Sequence, residues 1–358
     1  MLLTATAHRQ ATHQRPANHR RALVLFPLLG ALFVSLLGPA TARADGAPTL
    51  TPIDPATATT FYGRGLGHGV GMSQYGARGR ALAGQSATEI LAHYYAGATL
   101  GTIDPATQIR VLVLSGFTAT ATAPAVLFGR RGSWTIDGIP TVFPPDARVR
   151  LWPTGAGSTT WILKVTSSTG AVLYRSAVTG ALTMRPVPGS TGRLQVQSRP
   201  SSYDLYRGIL QIYLAKRLQV VNEVGLEAYL RGVVPAEVPA GWPVEALNAQ
   251  AVAARSFAAR RLRPGVSTYD VYDDSRAQVY LGVRGEKSGT STAVASTAGI
   301  VLMSGPTIAN ALFHSTGGGA TEDNENVFVS SLGVKVAGPV SYLRGSLDRA
   351  PDGISYDA

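Results

Sequence analysis

One glutamate in this 358-residue sequence stands in a setting that suits acid–base chemistry. Glu237 lies in the segment VVPAEVPAGWP, between Pro235 and Pro239, among apolar residues and five residues before Trp242. An apolar setting disfavours the charged carboxylate and raises its pKa, as a general acid near neutral pH requires. The face of Trp242 offers a surface on which a sugar ring can stack. The alternative interpretation is that Glu237 faces solvent in a loop ahead of a helix.

Other catalytic chemistries find little support in the sequence. The chain has no Cys, which excludes disulfides, thiolate metal sites and Cys nucleophiles. His68, His93 and His314 lie far apart, with no pair at metal-ligand spacing. No serine stands in a G-x-S-x-G motif, and Gly317–Gly319 is not followed by the lysine of a phosphate loop.

Glycines occupy every second position from Gly63 to Gly71. In an extended strand this spacing removes the side chains from one face, so another backbone or a ligand can approach closely. His68 and Val70 would then project from the opposite face.

The elements that position these residues indicate an α+β protein. Ser86, with Glu89 three residues later, predicts a capped helix that runs to about Tyr95. Short β-rich runs with turn signals follow as far as about residue 219, as in a small antiparallel barrel or sandwich. The next part predicts three elements, which are a short helix at Leu226–Gly232, a rigid loop at Pro235–Pro243 and a long Ala-rich helix at Val244–Arg263.

Several ordered blocks resemble the SpoIID/LytB family of bacterial cell-wall proteins, and together they cover about residues 205–350. These blocks are Asn222–Ala259, Tyr269–Tyr280, Phe313–Thr321 and Tyr342-Leu343. The segment Gly67–Ala77 with the following helix is similar to the block that usually closes the family's domain at its C-terminal end. Because chain termini in a domain are often close, we expect residues 61–100 to pack on the 205–350 core as a permuted segment.

The resemblance implies peptidoglycan as the substrate and lytic transglycosylase chemistry, with Glu237 as the catalytic acid. Candidate substrate contacts, each with packing as the alternative role, are Trp242, Gln250, Arg255, Gln278, Tyr280, Ser315 and His68. Glu245, Asp273 and Asp274 lie near in sequence, but nothing shows that any of them converges on Glu237 as a second carboxylate.

One departure from the family bears on metals. Some members carry Cys/His zinc ligands around residues 270–280, where this chain has Tyr272, Ser275, Arg276 and Ala277. We therefore expect neither a metal nor a cofactor.

Residues 1–44 are predicted to be a signal peptide. Arginines precede an apolar run at 22–37, and Ala42-Arg43-Ala44 is a cleavage pattern. Uncleaved, this leader would anchor the protein in the membrane. It carries five Arg and no acid, so +6 of the formal net charge of +11 remains for the rest. No basic run with interleaved aromatics appears, so nucleic acid is not an expected partner, whereas an anionic cell envelope is.

The sequence thus predicts a signal peptide at 1–44, a linker at 45–60, the permuted segment at 61–100, a mostly β module at 103–204 and a SpoIID-like core at 205–358. The core is expected to combine the long Ala-rich helix with mixed sheets, and its end at Ala358 suggests C-terminal truncation. The function expected is that of a secreted enzyme acting on peptidoglycan glycan strands in the cell wall. The main alternative is a non-catalytic enhancer of an N-acetylmuramoyl-L-alanine amidase. A third is a wall-anchoring module in which Glu237 is vestigial.

Overall fold

The computed structural model describes residues 64–357, so the predicted signal peptide at 1–44 and linker at 45–60 lie outside the described residues. Helices make up 21% and strands 31% of the structure, which confirms the α+β class. Over residues 64–357, none of the helices combines the length and the apolar character that crossing a bilayer requires.

The strands, in chain order, are β1 (Met72–Ser73), β2 (Thr99–Thr102), β3 (Gln108–Phe117), β4 (Ala125–Arg130), β5 (Trp134–Ile136), β6 (Arg148–Pro153), β7 (Trp161–Thr166), β8 (Val172–Val178), β9 (Gly180–Pro186), β10 (Arg193–Val196), β11 (Leu205–Tyr206), β12 (Ile209–Leu214), β13 (Leu218–Gly225), β14 (Val271–Tyr272), β15 (Ile300–Ser304), β16 (Thr307–Ile308) and β17 (Phe313–His314). The helices are α1 (Gln74–Leu82), α2 (Ala87–Tyr94), α3 (Leu226–Glu237), α4 (Val244–Ala259), α5 (Gly282–Gly285), α6 (Ser288–Ser296) and α7 (Asn324–Val327).

Two six-stranded sheets form the β-rich part of the molecule. Their strand orders are β11-β10-β4-β6-β7-β8 and β14-β3-β13-β12-β9-β5. Trp161, Leu163 and Val165 alternate along β7 and are fully buried, as a strand with one inward face requires. The inner faces of both sheets contribute to one apolar core. Since β3 pairs with β13, the second sheet joins the segment predicted at 103–204 to the segment that begins at 205.

Helix α4 lies between two apolar cores. Leu247, Ala251 and Ala254 belong to the core shared with the sheets, whereas Ala249 and Val252 belong to a second core. The second core also contains side chains of β1, α1 and α2. The many alanines of α4 present little bulk, so that neighbouring helices can approach it from several sides. The helix ends at Ala259, four residues before its predicted end.

Helix α2 confirms the capping box predicted from the sequence. The Ser86 hydroxyl accepts a hydrogen bond from the Glu89 N–H, and the Glu89 carboxylate accepts one from the Ser86 N–H.

Helix α3 corrects the prediction of a short helix followed by a loop, because it continues through Pro235 to Glu237. A proline inside a helix costs about 3 kcal/mol. Val233 and Val234 are fully buried, and each such side chain contributes roughly 1.5–3 kcal/mol. The Val238 N–H still donates to the Val234 carbonyl at 3.1 Å, so helical bonding resumes beyond the proline.

The glycine-rich segment is not the regular strand that its spacing suggests. Gly65, Gly67, Gly69 and Gly71 all have φ between +71° and +107°, a region that an extended strand does not use. The close backbone approach is nevertheless present. A Cβ on Gly71 would lie 2.1 Å from the Leu312 carbonyl oxygen.

Candidate active site

Glu237 is the last residue of α3 and is half-buried. Burial raises the pKa of Glu237 to about 7, because a carboxylate loses hydration where neighbours exclude water. The nearby Gln74 side chain opposes this shift by stabilising the charged form. Glu237 can therefore exist as both acid and carboxylate near neutral pH.

Gln74 connects Glu237 to helix α4. As the first residue of α1, Gln74 follows the Ser73 cap, whose hydroxyl accepts from the Gly76 N–H at 3.1 Å. Its Nε2 lies 3.4 Å from the Gln250 Oε1, and Gln250 is buried. The Gln250 Nε2 has no hydrogen-bond partner among the described residues. Gln250, a predicted site residue, thus lies behind Gln74.

An aromatic pair flanks this region. The Tyr75 and Trp242 rings meet edge to face with centroids 5.2 Å apart, and the Arg78 guanidinium lies 6.0 Å from the Trp242 ring. Tyr75 is 43% exposed, and Trp242 is partly buried. Tyr75 immediately follows Gln74. The partly open aromatic surface therefore adjoins the residue whose side chain acts on the Glu237 carboxyl group.

Two histidines lie together beside β1, the strand that precedes α1. The His68 and His314 rings lie 5.4 Å apart, and β1 pairs in parallel with β17, which contains His314. Burial lowers the pKa of His68, and burial together with the charge of His68 lowers the pKa of His314 to about 4. His314 is therefore neutral at pH 7. The Ser315 carbonyl accepts from the Tyr75 N–H at 3.0 Å, which places Ser315 against the start of α1.

Arg255 is placed away from this surface. It is 0% exposed, and its Nε and one terminal nitrogen each donate to a Glu227 carboxylate oxygen at 2.8 Å. It also donates to the carbonyls of Val294 and Ile300 at 3.1 Å. Arg255 therefore ties α4 to α3, α6 and β15, which is a packing role.

Gln278 and Tyr280 are also buried. The Tyr280 hydroxyl donates to the Asn222 Oδ1 at 3.2 Å. The Gln278 Nε2 donates to the Ala254 carbonyl at 3.3 Å, and its Oε1 accepts from the Tyr229 hydroxyl at 3.3 Å. Burial raises the pKa of Tyr229, and the nearby charge of Glu237 adds to the shift. Gln278 is thus hydrogen-bonded to Tyr229, the side chain that is affected by the charge of Glu237.

The three acids considered as a second carboxylate bind groups other than Glu237. The Glu245 carboxylate accepts from the Ala87 N–H at 2.7 Å, at the start of α2. Asp273 pairs with Arg199 at 2.6 Å, and Asp274 pairs with Arg276 at 2.7 Å. Across residues 64–357, no cluster of three or more His, Asp or Glu could hold a metal ion.

Sequence reasoning did not select three residues of this region, namely Gln74, Tyr75 and Tyr229. Gln74 and Tyr75 belong to the block that resembles the family, so the signal was present. Only the packing of α1 on α4 shows that the Gln74 side chain lies beside Glu237 and Gln250.

Comparisons with known proteins agree with this resemblance. The model of the SpoIID family, described as Stage II sporulation protein, matches residues 215–303. An amidase enhancer of Bacillus subtilis is 38% identical over 108 residues, which are 30% of this chain and 14% of that protein. Stage II sporulation protein D of Bacillus subtilis is 34% identical over 163 residues, 40% of this chain and 45% of that protein.

An uncharacterized protein of Brachyspira hyodysenteriae is 36% identical over 128 residues, 35% of this chain and 34% of that protein. No solved structure matches the chain. The chain spans less than half the length of each of these curated relatives. The family model over residues 215–303 and the named relatives together support the assignment of this part of the chain to the SpoIID/LytB family.

Proposed function

We propose that this protein is a secreted cell-wall enzyme that cleaves peptidoglycan glycan strands as a lytic transglycosylase. The observation that carries the proposal is Glu237 itself, a half-buried carboxyl whose pKa is raised to about 7 next to Gln74, the residue that precedes Tyr75 of the partly open aromatic pair. A general acid works best when its pKa lies near the working pH.

One carboxyl group is enough for this reaction. Protonated Glu237 gives its proton to the glycosidic oxygen as the bond from that oxygen to C1 of N-acetylmuramic acid breaks. The 6-hydroxyl of the same sugar then attacks C1, and its proton passes to the Glu237 carboxylate. The product is a 1,6-anhydro sugar, and Glu237 is again protonated. A hydrolase would normally need a second carboxylate, whereas Asp273 and Asp274 are held in ion pairs.

The aromatic pair and the amides supply binding in this proposal. Tyr75 and Trp242 offer ring faces for a sugar, and Gln74 lies beside the carboxyl with an amide that can bond to sugar hydroxyls. His68 contacts His314, and the Ser315 carbonyl accepts from the Tyr75 N–H, so both candidates lie near the start of α1. The net charge of +6 on residues 45–358 favours association with an anionic wall.

The permuted arrangement is part of the same proposal. Side chains of β1, α1 and α2 share the second core with α4. In this interpretation, residues 64–98 complete the site, because they supply Gln74 and Tyr75 to the carboxyl at the end of α3.

The proposal is tested by digesting peptide-free glycan strands and measuring 1,6-anhydro products by mass spectrometry. Glu237→Gln is expected to lower the rate by about 10²–10⁴-fold, the usual contribution of a general acid. Cleavage by the wild type is expected to fall as pH rises through about 7, because Glu237 loses its proton. Glu245→Gln is the matched control, since a Gln oxygen can still accept from Ala87. Anhydro products that form equally with Glu237→Gln would refute the mechanism.

A second candidate function is stimulation of a separate cell-wall amidase. It is favoured by the similarity to a relative named amidase enhancer. Stimulation needs binding but no acid, so Glu237→Gln protein would stimulate an added N-acetylmuramoyl-L-alanine amidase as strongly as the wild type. The same substitution therefore distinguishes the two functions, because it should abolish cleavage and leave stimulation unchanged.

A further inference from the structure

The loop that follows β17 presents backbone donors to a carboxylate. Gly318 and Gly319 have φ of +70° and +103°, and successive N–H groups in such conformations form an anion-binding concavity. The Gly317 N–H donates to the Ser73 hydroxyl oxygen at 3.3 Å. The Gly319 N–H donates to the Asp357 Oδ2 at 3.0 Å.

Asp357 completes this arrangement from the C-terminal part of the chain. The Ser73 hydroxyl donates to the Asp357 Oδ1 at 2.5 Å, and Ser73 is fully buried. Each carboxylate oxygen of Asp357 thus accepts a hydrogen bond. Oδ1 accepts from the Ser73 hydroxyl that caps α1, and Oδ2 accepts from the Gly319 N–H of the glycine loop. The donors are already oriented for a negatively charged, two-oxygen group.

The buried Nε2 of His314, beside the glycine loop, is an acceptor that a hydroxyl group of the ligand could satisfy. His314 is 5% exposed, and its Nδ1 lies 3.3 Å from the Val70 carbonyl, to which it donates. Its Nε2 is buried and has no hydrogen-bond partner in the part of the chain that the structure describes. A Cβ on Gly317 would lie 3.4 Å from this nitrogen. A hydroxyl group near the carboxylate would satisfy it.

The segment that carries Asp357 is anchored elsewhere. Asp348 is fully buried, pairs with Arg80 at 2.9 Å and accepts from the Tyr94 hydroxyl. The negative charges of Asp348 and Asp357 repel each other. The preceding residue, Tyr356, belongs to this anchor, because its N–H donates to the Asp348 carbonyl at 3.1 Å and its ring lies 4.6 Å from the Arg80 guanidinium. Displacement of Asp357 therefore requires only that its own side chain turns away while Tyr356 and Asp348 stay in place.

We propose that Ser73, Gly319 and His314 form a subsite for a carboxylate of the wall polymer, and that Asp357 fills this subsite until such a carboxylate displaces it. The inference rests on the proposed function, since Ser73 immediately precedes Gln74, the side chain that stabilises the charged form of Glu237. In peptidoglycan the carboxylate belongs either to the lactyl group of muramic acid or to the stem peptide.

The test compares the binding of three small probes to the full chain and to Asp357→Ala, by calorimetry and by the NMR shift of the Gly319 amide. The probes are N-acetylmuramic acid, neutral N-acetylglucosamine and muramyl dipeptide, in which the lactyl carboxyl is blocked and the peptide carboxylate is free. If Asp357 fills the subsite about nine-tenths of the time, its removal tightens carboxylate binding about tenfold. N-acetylglucosamine is expected to show no such gain.

Asp352→Ala is the matched control, because Asp352 is an exposed acid on the same segment. Asp357→Asn, which removes the charge and keeps the shape, guards against loss of fold. A tenfold gain for muramyl dipeptide alone would assign the stem peptide as the source, and a gain for N-acetylmuramic acid alone would assign the lactyl group. Unchanged binding of both acids in Asp357→Ala, or an equal gain for N-acetylglucosamine, would overturn the subsite. Binding without cleavage of glycan strands would leave the subsite standing and refute the transglycosylase instead.

Discussion

Two glutamates stand at opposite ends of α3 in contrasting surroundings. Glu227, in the first turn, accepts from two Arg255 nitrogens at 2.8 Å and from the Gly299 N–H at 3.0 Å. Glu237, at the last residue, has no ion pair within residues 64–357, and burial raises its pKa to about 7. The same helix therefore fixes one carboxylate with a buried guanidinium and leaves the other free to exchange protons.

The contrast separates a glutamate held in an ion pair from one whose pKa is raised by burial. A buried charge that has a partner contributes to the fold, whereas a buried acid without one tends to take up a proton. The resemblance to the family suggested Arg255 as a substrate contact, but its hydrogen bonds go to Glu227 and to backbone carbonyls. Substitutions at the two ends of α3 should therefore have different effects.

The largest expected effect on stability is at Arg255. Arg255→Met removes the partner of a mostly buried carboxylate and is expected to lower the free energy of unfolding by about 3–5 kcal/mol. Urea denaturation at pH 7 measures it. Arg260→Met, at an exposed position just after α4, is the control and should change stability by less than about 0.5 kcal/mol. If Arg255→Met lowers the free energy of unfolding no more than Arg260→Met does, the Arg255–Glu227 ion pair does not stabilise this end of α3.

A smaller effect of opposite sign is expected at Glu237. Its pKa is raised in the folded state, so the fold binds the proton more tightly than the unfolded chain does. The wild type therefore loses stability as pH rises from about 4.5 to about 7. The amide of Glu237→Gln does not ionise, so its stability does not depend on this proton. At pH 8 its free energy of unfolding should exceed that of the wild type by on the order of 2 kcal/mol.

The same comparison at pH 4 provides the control, because both side chains are then neutral and their free energies of unfolding should be similar. Urea titrations at several pH values give the difference curve. A difference that does not change between pH 4 and pH 8 would show that Glu237 titrates as an ordinary solvated acid.

The sequence predicted local features, such as the raised pKa of Glu237, better than the geometry around them. The Pro-flanked Glu237 and the Ser86–Glu89 capping box are local patterns, and local patterns can be read from neighbouring residues. The continuation of α3 through Pro235 could not be read in this way, because it depends on the burial of Val233 and Val234 by distant strands.

The glycine segment also shows that a local pattern does not determine the backbone conformation. Its alternation predicted a close backbone approach, which is present at Gly71, but suggested an extended strand, which is not. Spacing alone does not distinguish period-2 glycines in a strand from glycines that each adopt positive φ. Likewise, no sequence signal shows that Arg255 turns toward Glu227 instead of a ligand, since both contacts use the same guanidinium chemistry.

The smallest expected effect is at Tyr75, and it tests whether the Glu237 end is a binding surface. Tyr75→Ala removes the partner of the Trp242 ring, and such aromatic pairs contribute about 0.5–1.5 kcal/mol. A sugar ring stacked on this pair would lose a contact of similar size, so affinity for peptide-free glycan strands should fall about two- to tenfold. The free energy of unfolding should fall by no more than about 1.5 kcal/mol, the contribution of the pair itself. Tyr203→Ala, which removes an exposed tyrosine of the β-rich part, is the control for the loss of any surface aromatic. If both substitutions weaken binding equally, the aromatic pair has no special role, and the contrast between the two ends of α3 concerns protonation alone. If only Tyr75→Ala weakens it, the end of α3 that leaves its carboxyl unpaired is also the end that holds the sugar.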